Sequence, residues 1–170
     1  MSHLKAFCDY SCLKDFTAKN AEKLRSNVRK EKRQEDKKKK EKLKTRGQWQ
    51  REAQAAFNAY VRWRDRDEPC ISCGHYTTDG AVGGNWDAGH YRSTGSAPHL
   101  RFHLWNCHKQ CVRCNRYLSG NVAEYRTRLG RKIGPGKLEL LEADDKPRQY
   151  SIDDLKRIKN IFRRKIRKKC

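Results

Sequence analysis

Residues 70–115 read CISCGHYTTDGAVGGNWDAGHYRSTGSAPHLRFHLWNCHKQCVRCN, and the reading of this stretch decides the fold. Two Cys-x-x-Cys pairs, Cys70/Cys73 and Cys111/Cys114, bracket 37 residues that hold most of the histidines. Each pair is tight enough to offer two thiolates to one ion. Together they fit a tetrahedral Cys₄ zinc site, with a spacer longer than in an ordinary zinc ribbon. A closed Cys₄ site leaves no position for substrate. The clasp is therefore read as structural, and any chemistry falls to the residues it encloses or adjoins: Asp87, His90, Asn106, His108 and Asn115.

Outward from the clasp, the chain has 170 residues, about a third of them apolar, which suffices for one modest core. The net charge of +21 and the pI of 9.9 point to a polyanionic partner, DNA first. No apolar run is long enough for a membrane span, and the start MSHLKAFCDY lacks the apolar stretch of a secretory signal. The expected place is the cytoplasm, where paired cysteines serve metals better than disulfides. Cys107 and Cys170 are then unpaired thiols, Cys107 as a small buried apolar residue.

The expected organisation has four parts. Residues 1–19 carry Cys8 and Cys12, which look like half of a second zinc site without its other half and are read first as free or partner-dependent thiols, against a site completed from elsewhere. Residues 20–47 form a basic helical or disordered arm with the run Lys37, Lys38, Lys39 and Lys40; residues 1–47 hold 16 Lys and Arg against 7 Asp and Glu, a net of +9. Residues 48–130 form the zinc-clasped core, and residues 131–170 a basic helical extension. Within the core, Trp49, Ala53, Ala56, Phe57, Tyr60 and Val61 recur at helical spacing up to Pro69, and they are read as packing residues rather than base-stacking ones. Asp79 to Gly84 reads as a Gly-rich turn. Trp86 to Tyr91 and Leu100 to Trp105 read as two strands around the loop Ser93 to Pro98, and Asn115 to Leu129 as a helix that Gly120 weakens. Gly134-Pro135-Gly136 precedes a short helix over Lys137 to Ala143. Ser151 and Asp154 resemble a capping box opening a last helix, whose apolar face is Ile152, Leu155, Ile158, Ile161, Phe162 and Ile166. Residues 151–170 carry 9 Lys and Arg against 2 Asp, a further basic surface.

Strand, loop, strand and helix, with polar residues at the first strand and the helix start, is the ββα-metal layout of HNH nucleases. The fold class expected is α+β: a small ββα-metal, HNH-like core with a Cys₄ zinc clasp, flanking helices and a basic N-terminal arm. Phosphodiester cleavage needs an activated water and a Lewis acid on the phosphate. His90 is the candidate general base, because a neutral imidazole takes a proton near pH 7. Asn106 is expected to orient its ring. Asn115 and Asp87 are expected as oxygen ligands of Mg²⁺ or Mn²⁺, which keep most of their waters. His108 is placed either on that ion or in the zinc shell, and His75, His99 and His103 are left as surface or supporting residues. Arg92, Arg101, Arg113 and Arg116 are candidate phosphate contacts, against the plain reading of surface charge.

The segments CISCG, WDAGHYRST, LRFHLWNCHKQCVRCNRYLSGN and WQREAQAAFNAYVRWRD resemble the NinG, or Rap, recombination proteins of lambdoid phages, over almost the whole chain. The resemblance implies a phage endonuclease acting in the infected host on branched DNA such as Holliday junctions or D-loops. A homodimer and contacts with other recombination proteins are compatible with it. The wider HNH resemblance implies His90 as base, Asn106 as its orienting residue and Asn115 in the place of the third motif residue. Asp-Ala-Gly-His departs from the adjacent Asp-His of many HNH enzymes. Relatives usually begin with a further Cys-x-x-Cys that this chain lacks, so a shortened start is expected. The competing class is a non-catalytic zinc protein that binds DNA and mediates recombination.

Overall fold

The computed structural model describes residues 9–76 and 85–168. Cys8, Cys170 and the turn expected over Asp79 to Gly84 lie outside the described residues. The chain divides into two compact units, residues 1–45 and 46–170.

The first unit is one helix, α1 (Tyr10–Lys42), capped by the Asp9 carboxylate, which accepts from the Cys12 amide at 2.8 Å. It is continuous across the division expected near residue 19. None of its residues is buried, because its apolar positions are too few to make a packing stripe. At 1.5 Å per residue it is about 50 Å long. Lys37 to Lys40 stand exposed on it, and three lysines in its last turn complement the helix dipole.

The second unit is built on α2 (Arg46–Arg64), whose Trp49, Ala53, Ala56, Phe57 and Val61 are buried at the expected helical spacing. A two-stranded antiparallel ribbon packs on it: β1 (Trp86–His90) pairs with β2 (Cys107–Cys111), with Asp87 opposite Gln110, Gly89 opposite His108 and His90 opposite Cys107. Then follow one turn of π-helix (Arg113–Tyr117), α3 (Val122–Ile133), α4 (Pro135–Ala143) and α5 (Ile152–Arg167). The capping box forms: the Asp154 amide donates to Ser151 Oγ, and the Ser151 amide donates back to the Asp154 carboxylate. Leu155 and Phe162 of α5 are buried with α2 residues, so the C-terminal segment belongs to the core and residue 131 opens no separate part.

The second strand differs from expectation. Leu100, Phe102 and Leu104 alternate like a strand, yet residues 93–106 form successive tight turns, with Leu100 N bonded to Ala97 O, His103 N to Leu100 O and Asn106 N to His103 O. Their apolar side chains plug different clusters: Leu100 lies with Ile71, Tyr125 and Leu129, while Phe102 and Leu104 lie with Phe57 and Val61. The real strand, CHKQC, reads as polar but is wholly buried, because α2 covers one face and Tyr125 of α3 approaches the other. The expected helix over 115–129 is also broken. Ser119, Gly120 and Asn121 all take positive φ, and the regular helix starts only at Val122.

Candidate metal clasp and catalytic cluster

The two knuckles converge. The four sulfurs of Cys70, Cys73, Cys111 and Cys114 lie within 4.8 Å of one another, with Cys73 Sγ and Cys111 Sγ 3.8 Å apart. Zinc held tetrahedrally at about 2.3 Å requires sulfur–sulfur edges of about 3.8 Å, so the clasp could hold such an ion. Backbone amides already point at the sulfurs, Cys111 N at Cys70 Sγ (3.3 Å) and Cys114 N at Cys111 Sγ (3.4 Å), and the Asn121 amide reaches Cys114 Sγ at 3.7 Å. Burial pushes the Cys111 and Cys114 thiols up, which a bound cation would reverse. Among the described residues this is the only gathering of three or more Cys, His, Asp or Glu side chains fit for a metal.

Successive side chains of β1 alternate between faces, so Asp87 and His90, three residues apart, point to opposite sides of the ribbon. His90 faces the core side. Its ring lies 6.1 Å from that of Phe57, its Nε2 is 2.9 Å from Arg101 O, and its Nδ1 is 3.7 Å from Cys107 Sγ. A carbonyl only accepts, so Nε2 carries the proton and Nδ1 the lone pair. Burial lowers the His90 pKa, with the Arg101 carbonyl acting against it. Cys107 is fully buried, as expected, and burial pushes its thiol far above its usual range.

Asn106, expected to orient the His90 ring, does not touch it. Its buried amide accepts from Arg92 N (2.8 Å) and donates to Arg92 O (2.9 Å) and Leu100 O (3.3 Å). It closes the loop that carries Arg101, whose carbonyl meets His90 Nε2.

On the other face, Asp87 accepts from the Asn115 amide at 2.9 Å and, from two sides, from the Arg116 guanidinium at 2.8 and 2.9 Å. Burial opposes ionisation of Asp87, but the Arg116 and Asn115 hydrogen bonds prevail and lower its pKa. The structure thus brings Asp87 and Asn115 together and separates them from His90. His108 joins neither group: its Nδ1 is 2.9 Å from Arg64 Nη2 and 3.3 Å from Asp65 Oδ2, and its buried Nε2 has no partner among the described residues. Of the other histidines, His99 is buried with Nε2 on Asp144 O, His103 packs on Trp105, and His75 is exposed.

The arginines divide in the same way. Arg92 is committed to the end of α4: it reaches the carbonyls of Leu141, Glu142 and Asp144 and pairs with Asp145 at 2.6 Å, so it clamps that end of the helix. Arg116 is held by Asp87. Arg101 is half-buried against Gln54 Oε1 and Thr94 O, and Arg113 is exposed. Sequence reasoning missed Arg64 and Asp65. Asp65 is 3% exposed; it takes two 2.6 Å bonds from Arg64 and one of 3.1 Å from the Lys109 amide, while Arg64 also reaches Leu104 O and Cys107 O. Burial alone would raise the Asp65 pKa; the bonds from Arg64 and His108 instead hold it well below the usual range. An acid–base pair at the end of an amphipathic helix looks like surface charge, and no local signal marks it.

Comparison with known proteins agrees with the resemblance seen in the motifs. A family model described as Bacteriophage Lambda NinG protein matches residues 1–169. The chain is 46% identical over 125 residues to Protein ninG of Salmonella phage P22 and 45% to that of Escherichia phage lambda; each match covers 74% of this chain and 59% of the relative. Protein ninG of Escherichia phage 933W is 43% identical over the same length. The chain therefore spans about three-fifths of the length of these curated relatives. No solved structure matches. No helix among the described residues is long and apolar enough to cross a membrane. With its full-length family match and its clasp of four cysteines, the chain belongs to the NinG family of lambdoid bacteriophages.

Proposed function

We propose that the chain is an HNH-type DNA endonuclease that cuts branched recombination intermediates, such as Holliday junctions or D-loops, in the cytoplasm of the infected host. The observation that carries this reading is the tautomer of His90. With Nε2–H on Arg101 O and a lowered pKa, the ring is neutral at pH 7 and keeps a basic Nδ1. In the mechanism, Nδ1 takes a proton from the attacking water, and the Arg101 carbonyl steadies the imidazolium that forms. The Cys107 thiol beside Nδ1 is only a weak donor, so it leaves the Nδ1 lone pair basic. Asn106 keeps the loop, and so the carbonyl, in place.

Mg²⁺ or Mn²⁺, when bound, would supply a Lewis acid to the phosphate. Asp87 and Asn115 are the proposed ligands, and a carboxylate beside an amide suits an ion that keeps most of its waters. Arg116 competes for the same carboxylate. Because Asp87 and His90 face opposite sides of the ribbon, the ion and the base stand on separate tests. The net charge of +21 and the exposed lysines of α1 support DNA as the partner.

The second reading, a non-catalytic zinc protein that binds DNA and mediates recombination, is favoured by the Arg116 bond that already neutralises Asp87. Cleavage of branched, duplex and single-stranded DNA in Mg²⁺ decides between them. His90→Ala is expected to lower the rate about 10²- to 10⁴-fold, the usual loss of a general base, with zinc content, melting and DNA affinity retained. Cutting by His90→Ala at the wild-type rate would remove the base assignment. A wild-type chain that binds but cuts none of these DNAs would establish the second reading.

A further inference from the structure

The π-helical turn ends in an exposed apolar corner. Tyr117 is 76% exposed, Leu118 48% and Val122 48%, and Tyr117 has no stacking or hydrogen-bonding partner among the described residues. Tyr117 and Leu118 thus offer apolar surface side by side at one turn.

The corner is rigidly built. Ser119, Gly120 and Asn121 follow one another at φ of 50°, 88° and 43°, a run of left-handed residues that side-chain-bearing residues adopt only when their surroundings enforce it. The enforcing bonds are present: Leu118 N to Arg113 O, Gly120 N to Cys114 O, Asn121 N to Leu118 O, and Gly120 O held by Ser72 Oγ and by the buried Gln110 amide. The chain thus spends backbone strain, a π-helical turn and its buried polar groups to hold Tyr117 and Leu118 out from the clasp.

The surroundings specify the ligand. Arg113, at the start of the same turn, is exposed, and Arg116, next to Tyr117, bonds Asp87 of the candidate cluster, so the apolar corner follows an exposed cation and adjoins the proposed ion ligands. An exposed aromatic ring and a leucine on one turn with an arginine unengaged among the described residues, in a chain of net charge +21, suit a base whose face is bare and whose phosphates are near. Intact duplex buries its base faces in the stack; a branch point exposes them.

We propose that Tyr117, backed by Leu118, stacks on a base exposed at a DNA branch point and so sets the preference for branched over duplex DNA. This rests on the DNA reading above for the class of ligand, but not on His90 or on cleavage. The test uses the full chain without added Mg²⁺, with a four-way junction and a matched duplex carrying 2-aminopurine at the branch or within an arm. The wild-type chain is expected to change emission only from the branch position. Tyr117→Phe should keep that response. Tyr117→Ala should lose it and weaken junction binding about tenfold, the size of one base–aromatic stack, with duplex affinity unchanged to within about twofold. Zinc content and melting should stay as in wild type, because the ring packs on nothing inside. Equal junction binding by Tyr117→Ala, equal losses on junction and duplex, absence of any junction preference in the wild-type chain, or a change of oligomeric mass in Tyr117→Ala would each overturn the proposal; the last would make the corner a contact between copies of the chain. A chain that binds junctions in this way but never cuts DNA would overturn the nuclease reading alone.

Discussion

Replacing Asp65 by Asn should unfold the core more readily than its single missing charge suggests. The carboxylate is 3% exposed and receives two 2.6 Å bonds from Arg64 and one of 3.1 Å from the Lys109 amide, with His108 Nδ1 at 3.3 Å. The amide keeps one acceptor but turns two N–H groups toward Arg64, whose charge stays half-buried. Breaking a buried pair costs about 3–5 kcal/mol. The Arg64 side chain is 22% exposed, so water relieves part of this, and about 3 kcal/mol is expected. At about 2.1 cal/mol/K per residue, the 125 residues of the unit give about 0.26 kcal/mol/K, hence a fall in Tm of about 11 °C. All four tryptophans lie in this unit, so their fluorescence reports its melting without interference from α1. The pH dependence adds a second readout. The Asp65 pKa is lowered on folding, so its contribution is complete above the ordinary carboxylate pKa near 4 and is lost as pH falls from there toward the folded value. That part of the acid slope should vanish in Asp65→Asn. A Tm within 2 °C of wild type, or an unchanged slope below pH 4, would refute the argument.

Two further outcomes test the metals. Cys73→Ser should lower bound zinc, read by atomic absorption, together with the melting temperature, since a structural ion contributes folding energy directly; unchanged zinc and melting would remove the Cys₄ assignment. Arg116→Ala should tighten Mn²⁺ binding about two- to fivefold by calorimetry, because an exposed ion pair no longer competes for Asp87; if neither protein binds Mn²⁺ beyond the zinc site, Asp87 and Asn115 hold no ion.

Much of the site was legible because its signals are local. A Cys-x-x-Cys pair places two sulfurs on one turn whatever surrounds it, and the repeats Trp49–Ala53–Ala56–Phe57 and Leu155–Ile158–Phe162 mark faces through the helix period alone. The opposition of Asp87 and His90 follows from their odd spacing on one strand, although the HNH motif reading sets both in one site. The place of His108 was not legible: it looks like a ligand in sequence, and only the arrival of Arg64 and Asp65 from the end of α2 makes it part of a buried charge network.

What the sequence by itself determined is therefore the family, the clasp, α2, α4, α5 and the basic character of both ends, all carried by neighbours within a few residues. Only the tertiary structure decided that CHKQC is the second strand, that Asn106 ties Arg92 to Leu100, that Arg92 clamps the end of α4, and that Arg116 pairs with Asp87 at the surface. The partners that satisfy these polar groups lie far along the chain: Ser72 is 38 residues from Gln110, Asp65 is 44 from Lys109 and Asp145 is 53 from Arg92. A buried polar strand is stable only once such partners are in place, and no local pattern records where they will come from.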